Sequence, residues 1–210
     1  MKISKYPIII AALSVVFGVS AQTMDCDALK DFTPAVQRAT YDVCRYVNLD
    51  AAKQREVAKM VKEEDKLFVK LVNADGGLLT NKSRNALDRF HTAGLKKIMS
   101  EDELMQYYRG VYDAEASAEG VAIADRFKKK YNLTDQNWKF IHVAFYKIGL
   151  DTRVINKVYA DKPKVAARKV KELREHYIKT IEDKGDIRVN PDDMTLVRVK
   201  PFDPNALHKE

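Results

Sequence analysis

Residues 133–158, LTDQNWKFIHVAFYKIGLDTRVINKV, state the fold most clearly. Thr134 stands where a helix N-cap belongs, since its hydroxyl can accept from one of the first unpaired backbone N–H groups. Trp138, Ile141, His142, Phe145 and Ile148 then recur at helical spacing and share one face, and Val154, Ile155 and Val158 prolong the stripe. On the C-terminal side, Lys162-Pro163 interrupts the pattern, and a further helix to about Ile181 carries Ala166, Val170, Leu173, Tyr177 and Ile181. Past Gly185, Ile187–Val189 and Met194–Val199 alternate around Asn190-Pro191-Asp192-Asp193, which predicts a small hairpin or an extended tail.

The same pattern extends toward the N-terminus. Ser100 and Glu103 form a capping box, and a helix with the stripe Leu104, Tyr107, Tyr108, Val111 and Ala118 follows. Gly110 and Gly120 are expected to bend or split it, because glycine is unfavourable inside a helix. A helix over 82–99 is expected to bury Leu87, Phe90, Gly94 and Ile98. Asp75-Gly76-Gly77 breaks it from a helix over 50–73, whose stripe is Val57, Met60, Val61, Leu67, Phe68, Leu71 and Val72. Thr33-Pro34 opens a helix over 34–47 with Val36, Ala39, Thr40, Val43, Cys44 and Val47 on one face. The fold class is therefore all-α, an antiparallel bundle or short helical-repeat array of about six to seven helices over residues 22–182, with an extended or hairpin tail over 183–210. Tyr46-Val47-Asn48-Leu49 and Tyr131-Asn132-Leu133 each precede a long helix, and Val72-Asn73-Ala74-Asp75 matches Val158-Tyr159-Ala160-Asp161. These matches suggest two three-helix repeats, 34–99 and 117–182, joined by a helix near 101–116.

Composition excludes several classes. The chain has 210 residues, 46% hydrophobic and 32% charged, too apolar for a disordered chain and too charged for a multispanning membrane protein. Eight glycines and six prolines are few for an all-β protein, and two cysteines cannot staple a disulfide-dense fold. Lys2 and Lys5, the apolar run Pro7–Val19 and the Val19-Ser20-Ala21 sequence form the pattern of a secretory signal peptide over residues 1–21. An exported protein, periplasmic or extracellular and soluble after cleavage, is expected; an uncleaved anchor is the alternative. In an oxidising compartment Cys26 and Cys44 are expected to pair, closing a loop whose nominal stabilisation is about 3 kcal/mol; the alternative is two free thiols.

Charge is unevenly placed. Residues 22–119 hold 15 basic and 17 acidic side chains, residues 120–182 hold 15 and 7, and residues 183–210 hold 5 and 6. The basic second half would attract an acidic polypeptide, an anionic envelope surface or a small anion; nucleic acid is not expected as the partner of an exported protein. A homodimer through either repeat is also compatible with this mixture of basic and acidic helices.

The chain carries no Gly-rich phosphate loop, no nucleophile elbow and no clustered metal-ligand motif, so no enzymatic activity, catalytic residue or metal site is assigned. Aromatic residues concentrate in the middle and second half. Tyr112 and Phe140 fall off their stripes, and with Tyr108, His142, Tyr146 and Lys147 they form a candidate ligand-binding set: a groove of rings rimmed by lysine. Such a groove suits a flat hydrophobic anion, haem above all with His142 as its ligand, or an exposed polypeptide segment. The plain alternative is that His142 is a core histidine and that the rings close the core between helices.

Several helices open on a Leu-Thr-x-x-Gln-like phrase: Leu49-Asp50-Ala51-Ala52-Lys53-Gln54, Met99-Ser100-Glu101-Asp102-Glu103 and Leu133-Thr134-Asp135-Gln136. In a helical, charge-rich chain with an export signal, these phrases resemble those of the Spy/CpxP-type periplasmic proteins. The resemblance covers about a tenth of the chain. It implies a helical cradle that holds unfolded clients without ATP, and it transfers no individual residue. Two functions follow as expectations: a chaperone-like or scaffold protein holding a polypeptide client on an amphipathic surface, and a carrier of a small hydrophobic anion such as haem. An enzyme of unknown class comes third.

Overall fold

The computed structural model describes residues 24–182, together with the backbone of 183–185, 187–189 and 196–199. The described residues form seven helices: α1 (Cys26–Leu29), α2 (Pro34–Cys44), α3 (Ala51–Ala74), α4 (Asn81–Ile98), α5 (Glu101–Tyr131), α6 (Asp135–Val158) and α7 (Pro163–Gly185). The class is all-α, as the stripes require. In the tail, β1 (Ile187–Val189) pairs antiparallel with β2 (Leu196–Val199), Ile187 lying opposite Val199. The leader expected over residues 1–21 lies outside the described residues. None of the described helices is long and apolar enough to cross a membrane.

Short-range chemistry sets the helix starts. Thr33, Asp50, Thr80, Ser100 and Thr134 each accept a hydrogen bond from the backbone N–H three residues on, so α2 to α6 all begin at a side-chain cap. The Ser100–Glu103 box is complete, and Asn132, left-handed at φ 50°, ends α5.

Helix α5 is the mast, about 46 Å long at 1.5 Å per residue. Helix α6 returns along it after a short turn, and α7 packs on α6. One end of this trio closes on itself, where Ala124, Leu133, Ile141, Phe145, Ile178 and Ile181 are buried together. The other end receives α2, α3 and α4 around a larger core that includes Val43, Val57, Leu95, Leu104, Tyr108 and Val154. A third cluster, Leu29, Val36 and Ala58, fastens α1 and α2 to α3. Ion pairs join the two halves: Lys157 reaches Asp88 at 2.5 Å, and Lys96 meets Asp161.

The structure revises several expectations. Helix α5 runs unbroken from Glu101 to Tyr131, so the segments expected at 101–116 and 117–131 are one helix. Gly110 and Gly120 do not break it; they are points of close approach, facing the Tyr46 ring and the α6 backbone at Tyr146. Val111 is exposed and so is Ala118, whereas Ala116, Gly120 and Ala124 are buried. On α4 the buried positions are Ser83, Thr92 and Leu95, and Leu87, Phe90, Gly94 and Ile98 are only partly covered. On α3 burial stops at Met60: Val61, Leu67, Leu71 and Val72 are half-buried and Phe68 is exposed.

The expected Cys26–Cys44 bond is not formed. Cys26 is exposed on α1, its thiol turned to the Met24 carbonyl, while Cys44 is buried in the main core at the end of α2. Burial pushes the Cys44 thiol up to about 11, so it is both inaccessible and protonated. A thiol reagent at neutral pH is expected to modify Cys26 in the native protein and Cys44 only after denaturation. Equal native reactivity at both positions would contradict this placement.

The start of α5 is tied to the start of α3 by Lys53, whose ammonium lies 2.7 Å from the Glu103 carboxylate. Burial by itself would raise the Glu103 carboxyl. The Lys53 hydrogen bond and the Ser100 backbone and hydroxyl outweigh it and hold the group below its ordinary value. The stabilisation is thus fully present above the ordinary carboxylate range and is lost as pH falls through the lowered value. Between about pH 6 and about pH 3, Glu103→Gln should lose less stability than the native protein in urea titrations. Identical acid sensitivity in the two proteins would remove Glu103 from the account.

Candidate functional site

Where α2, α3, α4 and α5 meet, the core stays open. A trough of about 430 Å³ runs between them. Its apolar lining includes Val43 of α2, Val61 and Phe68 of α3, and Leu87 of α4. These side chains lie on the stripes that the sequence assigns to a closed core. Helix α3 runs for 24 residues against the 11 of α2, and Phe68 in its far half is left 44% exposed. Val69 and Leu78, at 50% and 82%, extend the apolar exposure along the same hairpin.

A hydrogen-bonded chain runs along the floor. Glu64 Oε2 lies 2.9 Å from His91 Nδ1, and His91 Nε2 lies 3.1 Å from the Tyr107 hydroxyl. An ionised carboxylate only accepts, so Nδ1 carries the proton toward Glu64, and Nε2 shares a hydrogen bond with the Tyr107 hydroxyl, accepting when the ring is neutral and donating when it is protonated. Burial, reinforced by the neighbouring Tyr108 and Glu64, pushes the Tyr107 phenol well above its ordinary value. The chain stitches α3, α4 and α5 together, and Thr92 and Tyr108 repeat the link at 2.9 Å. Asp42 of α2 and Glu64 and Asp65 of α3 make the lining acidic, and it contains no lysine or arginine. Among the described residues no group of three or more His, Cys, Asp and Glu is placed to hold a metal ion.

The six residues selected from sequence lie elsewhere. Tyr108 is buried in the main core, stacked on Tyr112 at 5.9 Å, and burial pushes its phenol up to about 12. Tyr146 packs against the same core and donates to Asp113; burial and that carboxylate push its phenol up to about 12. His142 is half-buried against the Trp138 ring at 5.3 Å, and its Nε2 is buried with no hydrogen-bond partner. Phe140 and Lys147 are half-buried on α6. Tyr108, Tyr112 and Tyr146 thus meet in one core, whereas His142 sits nearer the far end beside Trp138; none of the six lines the trough. Glu172 pairs with Arg168 at 3.9 Å, and His176 lies edge-on to Tyr177.

Sequence reasoning missed His91, Glu64, Asp42 and Asp65 as a group. The available signal was the stripe of α3, which is apolar further along the helix than a short neighbour such as α2 can cover. Comparison with known proteins finds no matching family model, no similar curated protein and no similar solved structure.

Proposed function

We propose that this chain is an exported, non-enzymatic binding protein that holds polypeptide segments in the trough between α2, α3, α4 and α5, as a chaperone-like or scaffold protein does. The observation that carries the reading is the open apolar lining, in which Phe68 is exposed and Val61 and Leu87 are half-buried, with Val69 and Leu78 also exposed on the same hairpin. Exposed apolar side chains beside an open groove are a common mark of an interaction site. A cavity of this size accepts a few side chains of an extended or helical segment rather than a folded domain. Export rests on the pattern of residues 1–21.

The alternative, a carrier of a small hydrophobic anion such as haem, has less support. Tyr108 and Tyr146 spend their hydroxyls on Thr92 and Asp113, and the trough is acidic where an anion would need cations. The test is light scattering of a chemically denatured client diluted into buffer with the purified protein at a stoichiometric ratio. Suppressed aggregation is expected. Aggregation unchanged by the protein would overturn the proposal.

A further inference from the structure

We infer that the segments held in the trough are cationic and amphipathic: apolar on the side that enters and lysine- or arginine-bearing on the side that faces the rim. This inference rests on the holding function proposed above and names its client class. The chain as a whole is basic, with a formal net charge of +7, yet the lining of this one opening carries three carboxylates and no lysine or arginine. Glu64 is engaged by His91. Asp42 pairs with Arg45 at 3.9 Å, with both side chains about half exposed, and Asp65 forms no ion pair among the described residues. The rim therefore carries one carboxylate without an ion pair and one held only in a long, half-exposed pair, both beside an apolar floor. An anionic segment would meet like charge there, and a purely apolar one would leave that charge desolvated without a partner. A cationic amphipathic segment satisfies floor and rim together.

A second copy presenting its own basic α7 is the competing occupant. The experiment separates the two. Two fluorescent peptides with leucines in identical helical spacing, one with lysine at every remaining position and the other with glutamate, are titrated into the full-length protein at low and high salt. The lysine peptide is expected to bind about tenfold or more tightly than its glutamate twin, and its affinity to fall as salt rises. The double variant Asp42→Asn with Asp65→Asn alters two exposed side chains, and the native circular dichroism signal checks its fold. It should weaken the lysine peptide by about fivefold, the scale of two exposed ion pairs.

Equal affinity for both peptides would overturn the inference while leaving polypeptide holding in place. So would binding that the double variant does not change. Self-association in sedimentation that the double variant abolishes, with neither peptide bound, would assign the trough to a second copy and overturn it as well. Failure of the holding function reads differently: denatured-client aggregation itself goes unsuppressed.

Discussion

Leu95→Ala is expected to lower the unfolding free energy by about 2–5 kcal/mol, the range for truncating a buried leucine. Leu95 is 0% exposed and belongs to the main core with Val57, Met60 and Tyr108. It is also the buried apolar anchor of α4, whose other buried positions are the polar Ser83 and Thr92. A cavity there loosens α4 from both α3 and α5, so the loss belongs toward the upper end. Urea denaturation followed by circular dichroism measures it. A loss under about 1 kcal/mol would mean that the side chain is not enclosed as described.

The second large effect is a pair of identical substitutions with opposite sign. A Cβ added at Gly120 would lie 2.9 Å from the Tyr146 backbone nitrogen and 3.1 Å from the His142 carbonyl oxygen. Those atoms belong to the α6 backbone and cannot swing aside. Gly120→Ala must therefore push α5 and α6 apart, and overpacking of this kind destabilises by about 1–3 kcal/mol. The gain of about 1 kcal/mol that alanine brings to a helix interior offsets part of this, leaving a net loss of up to about 2 kcal/mol. At Gly149 the same Cβ would meet only Arg153 Nη1 at 3.3 Å and Glu119 Oε2 at 3.4 Å, the ends of flexible side chains. Gly149→Ala should stabilise by about 0.5–1 kcal/mol. Two variants that both stabilise would refute the close α5–α6 approach.

Local features of this fold were legible in the sequence and tertiary ones were not. Helix starts were legible because a cap is local: Thr33, Asp50, Ser100 and Thr134 act within three residues of themselves. The α6 stripe was legible because one face meets both α5 and α7. Gly110 and Gly120 read as breakers because propensity is a property of the isolated helix, whereas their reason for being small is a ring and a backbone on other helices. On α4 the burial of Thr92 defeats a purely apolar pattern; its hydroxyl is satisfied by Tyr108, which no spacing rule anticipates.

The trough was less legible still. Glu64, His91 and Tyr107 come from three helices, separated by 27 and 16 positions, and each alone reads as an ordinary residue of its helix. Phe68 sits on the correct stripe for a core residue. Its exposure follows from α2 ending at Cys44, which is a fact about the neighbour and not about α3. The candidate aromatic set failed to reach the trough for a related reason. Ring content points to burial as readily as to binding, and here Tyr108, Tyr112 and Tyr146 are members or neighbours of the main core.

The most direct measurement is client holding by the double variant Phe68→Ser with Leu87→Ser. Both side chains line the opening and neither is fully buried, so helicity and the thermal midpoint should stay close to native. If the trough is where polypeptide is held, the native protein suppresses aggregation of a denatured client at equal ratio and the double variant, though folded, does not. Undiminished suppression by the folded variant would show that the grip lies on another face of the molecule.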